Sequence, residues 1–358
     1  YVLDEYYDRL LPVHLQAEPA SDDATADHTI VAGQSGVLIV NEITHGETIH
    51  LVNFEVIKSR DDGRRLTLLA PPPRNQAAAP MRIRVECNQA TNYVPGDIVD
   101  SLTVTITATR FSLLGDAAQA ALPDFDPDAP LLTIPAIGSN GDTEAVTLPN
   151  PLQRIPEQLY SVVETKMSII HGDLNMQNIL VDAPTGFAWL IDFAETRVGP
   201  TLLDLQRLEV QVTTKLLPEN ANIPLGDIVD MMTRLHADPP MPPPANPTLQ
   251  EPYALLVTIR RLARQYLIDD LDWNEYYYGL IAALVGTLKY DELDNHTRAM
   301  AFVAAATAEN LIGKPLGHDQ TDSSVADPVV PEPSPLPQPA DVTSDKSNRG
   351  MLAGVGVA

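Results

Sequence analysis

Residues 169–193 read IIHGDLNMQNILVDAPTGFAWLIDF. Two apolar runs, NILV and FAWLI, have the length and composition of short strands, and DAPTG between them puts Pro and Gly where a hairpin loop wants them. A hairpin brings its two ends together. HGDLNMQN, ahead of the first strand, then lies beside DFAET, behind the second. Asp173, Asn178 and Asp192 are thereby expected at one mouth, although Asp192 follows Asn178 by 14 residues. Three such oxygens at a strand-end loop suit a hard divalent ion such as Mg²⁺, which prefers carboxylate and amide oxygens and keeps waters or phosphates in its other positions. Asp182 sits in the turn at the far end of the hairpin and is left out of the site.

Around this stretch the chain reads as helical. A helix is expected over 156–167 and another over 201–216, and ADPPMPPPANP at 237–247 must break whatever precedes it. PYALLVTIRRLARQYL, WNEYYYGLIAALVGTLKY and HTRAMAFVAAATAENLI then supply three long helices with broad apolar faces. Residues 315–358 are rich in Pro, Ser and Asp and read as a disordered, solvated tail.

Towards the N-terminus the period changes. YVLDEYYDRLLPVHLQ places Leu3, Tyr6, Tyr7, Leu10 and Leu11 at helical spacing, so a short helix ending near Pro12 is expected within a first segment, 1–20. GVLIVNEI, IHLVNFEVIKS, RRLTLLA, MRIRVEC and IVDSLTVTITATRFSLL alternate with period 2 and are separated by turn signals such as HGE, DDG and PGD. They predict a small antiparallel β-barrel or sandwich over 29–114. Residues 115–150 show no sustained period and read as a connector, and 151–314 as a mostly helical lobe around the hairpin. The fold class is α+β.

Composition bounds the function. The chain has 358 residues, 44% of them hydrophobic, enough for two domains with a sizeable core. Against 23 Lys and Arg stand 48 Asp and Glu, a net charge of −25 that repels phosphate backbones and anionic lipid surfaces, so nucleic acid is not an expected main partner. The single Cys87 excludes an intrachain disulfide framework, and no Cys-x-x-Cys or His/Cys cluster offers a zinc site. No run of about 18 apolar residues could span a bilayer. A cytoplasmic protein is expected, and the start at Tyr1 suggests that a segment precedes it.

HGDLNMQN resembles the His-x-Asp-x-x-x-x-Asn catalytic loop of the protein-kinase-like superfamily, and IDF at 191–193 resembles its Asp-Phe-Gly metal segment. Gly172 in place of Arg, Asn175 in place of Lys and the trailing GPTLLDLQRLE look more like the aminoglycoside phosphotransferase and choline kinase branch. Within that branch the chain resembles the ternary complex-associated kinase-like domain of bacterial conflict systems. The resemblance implies an ATP- and Mg²⁺-dependent phosphotransferase acting on a hydroxyl of a small molecule or partner protein. Asp173 would accept the proton of the attacking hydroxyl, and Asn178 and Asp192 would hold Mg²⁺ on the nucleotide phosphates. His171 would brace the loop, and Asp204 would anchor it from the following helix. Such chemistry asks mainly for placement and charge neutralisation.

The resemblance covers 151–314 and the first 16 residues, which resemble the helix after a kinase hinge. Two arrangements of the rest are open. AGQSG at 32–36 and Lys58 in FEVIKS could be the phosphate-covering loop and phosphate-pairing lysine of a small lobe, or 29–114 could be an insertion in a large lobe whose small lobe lies upstream. In the second case this chain alone would turn over little, and a scaffold or nucleotide-sensing module is the alternative function. Ala194 stands where the metal segment has Gly. Arg64, Arg65, Arg82, Arg84 and Arg110 could face a ligand of the β domain, but without aromatic platforms for stacking bases they read as ordinary solvated positions. Glu195 and Arg197 read as solvated too. Protein partners are expected through the β domain or the Pro-rich tail.

Overall fold

The computed structural model describes residues 13–21, 24–32, 43–70, 81–137, 143–159, 161–217 and 223–316. All of these lie within one unit of the chain, Tyr1–Asp319. The expected helix at the N-terminus, the glycine pair of AGQSG, the run GVLIVNEI up to residue 42 and the Pro-rich tail beyond residue 316 fall outside them.

Eight strands make the first core: β1 (Val13–Pro19), β2 (His28–Val31), β3 (Thr48–Val52), β4 (Phe54–Arg60), β5 (Arg65–Ala70), β6 (Met81–Cys87), β7 (Ile98–Val99) and β8 (Leu102–Ala108). Their order is β2-β3-β8-β1-β6-β5-β4-β7. Alternation decides which face is inside: Val13, Leu15 and Ala17 of β1, Ile83, Val85 and Cys87 of β6, and Val104 and Ile106 of β8 are buried together. IHLVNFEVIKS is two strands, separated by Asn53 with φ 62°. One residue joins β3 to β4, yet four strands lie between them in the sheet order. The sheet must therefore curl so that its far parts approach each other, as in a barrel.

Three expectations are corrected here. Residues 13–19, joined to a helical segment 1–20 in the sequence, form the strand β1 at the middle of the sheet. The sheet is mixed, because β1 runs parallel to β6 and β2 parallel to β3. Turn signals report only neighbours in sequence, and those pairings are long-range. Last, RFSLL is not strand: Thr109 and Ser112 form a reciprocal capping box that starts helix α1 (Arg110–Ala121), which buries Arg110 against the ring of Phe111.

The second core is helical. Residues expected as a plain connector contain α1 and a hairpin, β9 (Leu131–Ile137) with β10 (Thr143–Pro149). Asn150 then caps α2 (Pro151–Gln158): its Oδ1 accepts the Leu152 N–H at 3.0 Å, and its Nδ2 donates to the carbonyls of Pro127 and Ala129. This cap and Pro151 at the first position shift the helix expected over 156–167 to an earlier start and end. The lobe is completed by α3 (Leu203–Gln211), α4 (Leu225–His236), α5 (Gln250–Arg264), α6 (Asn274–Gly286) and α7 (Asn295–Leu311). Ala-rich α7 is buried on nearly every side and is the axis of the lobe.

One buried polar network ties α3 in place. Arg260 Nη2 and Nε donate to Glu209 at 2.7 and 3.1 Å, and the Tyr276 hydroxyl donates to Glu209 at 2.7 Å. Arg260 also donates to the Tyr277 hydroxyl, which lies 2.9 Å from His236 Nδ1. Burial works against the Arg260 charge, but the Glu209 carboxylate outweighs it and the guanidinium stays protonated. Burial also pushes the Tyr277 phenol up to about 12, so it serves here as a neutral hydroxyl.

Candidate active site

The quoted stretch folds as its pattern predicts. β11 (Met167–Ile170) leads into the loop, β12 (Ile179–Asp182) and β13 (Phe187–Leu190) pair antiparallel with Ile179 opposite Leu190, and β14 (Arg197–Pro200) returns beside β11. The Ile191 N–H donates to the Asn178 carbonyl at 3.0 Å, which joins the two ends of the hairpin directly. The mouth therefore gathers Asp173, Asn178 and the segment carrying Asp192. Asp182 is at the opposite end, in contact with Thr185.

The loop is held by its neighbours in three ways. Asp204, in the first turn of α3, accepts the backbone N–H of His171 at 2.7 Å and of Gly172 at 3.0 Å, one on each carboxylate oxygen. His171 Nε2 donates to the Ile191 carbonyl at 2.8 Å, and its ring lies 5.2 Å from that of Phe193. Asn178 Nδ2 donates to the Asp173 carbonyl at 2.9 Å, a bond that does not use its Oδ1. Gly172 turns with φ +80°, and a Cβ there would sit 2.3 Å from the Glu195 carbonyl oxygen, so only glycine fits. Here Arg rather than Gly would be excluded by space alone.

Asp192 has φ 61° and ψ 64°, a left-handed conformation uncommon for residues other than Gly, Asn and Asp. Its carboxylate is exposed and accepts no hydrogen bond among the described residues. Arg197, read as solvated, has a structural contact: its Nη1 donates to the backbone carbonyl of Glu195 at 3.0 Å, packed against Gly172. Lys58 lies on β4 opposite Thr67 and has no ion pair among the described residues. Among the described residues no group of three or more His, Cys, Asp or Glu is placed to hold a metal.

Arg207 is the site residue that the motif did not reveal. It lies one turn after Asp204 on α3, so both side chains reach the same loop. Its Nη2 is 3.1 Å from Asp173 Oδ1, and its Nη1 donates to the Gly172 carbonyl. The spacing of Asp204 and Arg207 in LLDLQRLE was the available signal. A cavity of about 350 Å³ opens beside Asp173 and Arg207 and runs along α3, with Thr214, Lys215, Glu292 and Leu293 also on its wall.

The hairpin itself is poorly covered. Leu180, Val181, Phe187, Trp189, Leu190, Ile191 and Phe193 are between 38% and 64% exposed, an apolar surface directly beside the mouth.

Fold and site together define an α+β protein with a curled mixed sheet, a helical lobe and a loop–hairpin–loop site carried on that lobe. The chain belongs to the ternary complex associated domain 9 family, whose model matches residues 57–289. That match spans β5–β8, the whole loop–hairpin–loop site and the helices through α6. No curated protein and no solved structure matches the chain. No helix of the described residues is long and apolar enough to cross a membrane.

Proposed function

We propose that this protein is an ATP- and Mg²⁺-dependent phosphotransferase of the kinase-like type, transferring phosphate to a hydroxyl. The observation that carries the reading is the double anchoring of the loop. Asp204 holds the His171 and Gly172 amides while His171 grips the Ile191 carbonyl, so the residues on either side of a hairpin become one rigid mouth. A merely structural turn has no need of a carboxylate, an imidazole and a strained aspartate converging in this way.

The donor set fits the implied ion. Asn178 has spent its N–H₂ group inward and offers an amide oxygen, and Asp192 offers an exposed carboxylate; a hard divalent cation takes such ligands and completes its shell with phosphates and water. When bound, it would neutralise charge on the nucleotide phosphates. The chain's own residues then have separable roles. Asp173 accepts the proton of the acceptor hydroxyl and orients it. Arg207 holds the Asp173 carboxylate in place and sets a positive charge beside it, where the usual lysine is replaced by Asn175. His171 and Asp204 position the loop.

The test compares Asp173→Ala with wild type. Phosphate transfer is expected to fall by about 10³-fold or more, while MgATP still raises the melting temperature as it does for wild type. Equal turnover by the two proteins removes the base assignment.

A second reading is favoured by the open apolar hairpin and by Lys58, which has no acidic partner among the described residues: a kinase-fold module that binds nucleotide and assembles with other proteins. It predicts MgATP-induced stabilisation with no turnover in wild type, lost in Asp192→Ala.

A further inference from the structure

The cavity beside Asp173 is separate from the hairpin. No residue of β12 or β13 lines it. Its walls come from the loop (Asp173, Asn175, Gln177), from α3 and its continuation, and from the end of α6. The continuation is unusual. After Gln211 the helix widens into one π-helical turn, Val212–Leu216, in which Thr213 and Thr214 hydroxyls donate back to the carbonyls of Glu209 and Val210. Such turns re-aim side chains and recur at functional sites. Here the turn carries Thr214 and Lys215 to the cavity wall.

The lining is mostly hydrogen-bonding: Asn175, Gln177, Gln211, Thr214 and Thr287 supply amides and hydroxyls. Its charges are two acids, Asp173 and Glu292, and two cations, Arg207 and Lys215. Asp173 is already paired with Arg207, whose five N–H donors exceed the contacts that it makes. Lys215 is exposed and has no ion pair among the described residues. Behind Arg207 lies a further cation, Lys289, with Arg84 of β6 near it. Burial first, and then repulsion from Arg84 and Arg207, pulls the Lys289 ammonium down to about 7. No carboxylate is among the groups that shift it. In a chain of net charge −25, a lining with as many cations as acids is locally much less acidic than the rest.

We infer that this cavity is an acceptor subsite for a small polyhydroxylated molecule bearing one anionic group, with its hydroxyl at Asp173 and its anion on Lys215 and the free donors of Arg207. The inference rests on the phosphotransferase reading for the role of Asp173, but the binding of an anion does not. A volume of about 350 Å³ admits a molecule of sugar size and not a folded partner. Glu292, at the exposed rim after α6, disfavours a second anionic group elsewhere on the ligand.

The experiment titrates the full chain, without nucleotide, with glycerol 3-phosphate, glycerate, glycerol and ethanolamine, read by NMR line broadening of each probe and by melting temperature. The two anions are expected to bind at least tenfold more tightly than glycerol, and their ranking distinguishes a phosphate from a carboxylate ligand. Lys215→Glu is expected to abolish that preference and Lys215→Gln to reduce it, each with the melting temperature of the free protein unchanged. Binding of ethanolamine or glycerol as tight as that of the anions, anion binding unaffected by Lys215→Glu, or no binding of any probe overturns the inference. Separate titration with MgATP tests the other reading: anion binding without nucleotide binding keeps this site and removes the phosphotransferase.

Discussion

At Gly172 the backbone takes a left-handed turn because the Glu195 carbonyl and the Arg197 guanidinium leave no room for a side chain. Gly172→Ala must move the loop or the segment after the hairpin. It is expected to cost about 1–3 kcal/mol in urea denaturation and to weaken MgATP binding. Lys289 makes a different kind of prediction. Its pKa in the folded chain is about 7, below the ordinary 10.5, so between those values the folded state holds fewer protons than the unfolded one. Stability from this group therefore rises with pH across that window, and the full penalty is present below pH 7. Lys289→Met is expected to stabilise by about 1–3 kcal/mol at pH 6, and by progressively less as pH approaches 10, which melting curves at the two pH values check.

Helix α3 is the element on which the site depends. Three residues on it face different tasks: Asp204 and Arg207 hold the loop, and Glu209 sits in the buried network with Arg260, Tyr276 and Tyr277. Arg260 and Glu209 are 2% and 1% exposed, so removing one partner strands a charge in the core. Arg260→Met is expected to destabilise by about 3–5 kcal/mol, and adding Glu209→Gln to restore much of that loss. Because Glu209 lies less than two turns from Asp204, the single variant is also expected to loosen the loop, read as lost protection of the His171 and Gly172 amides in hydrogen exchange.

For the whole molecule, the open question of surface is the hairpin. Phe187 and Trp189 are 64% and 53% exposed and lie 6.3 Å apart, ring to ring, on an element that packs against little else. Trp189→Ser is therefore expected to change folding stability by no more than about 0.5 kcal/mol. It is also expected to reduce concentration-dependent association in light scattering, and unchanged association would show that this surface is not a docking face.

Much of this is legible in the sequence. The anchoring role of Asp204, 33 residues from His171, was expected only from the family resemblance, whereas the hairpin and its mouth follow from a motif of local spacing, since a two-strand fold-back is decided by neighbours along the chain. The three long helices α5–α7 were legible for the same reason, through their apolar period. What sequence could not supply are the contacts between distant segments. The parallel pairing of β1 with β6, the strand at 13–19, the cap at Asn150 that moved α2, and the burial of Arg110 all depend on which long-range partner is available. The seat of Arg207 at Asp173, and the cavity beside it, depend equally on α3 lying against a loop more than 30 residues away. Local pattern determined the hairpin and its ligand-type residues; tertiary packing alone decided what lies beside them, because an ion pair or a cavity exists only once separate elements have been brought within a few ångströms.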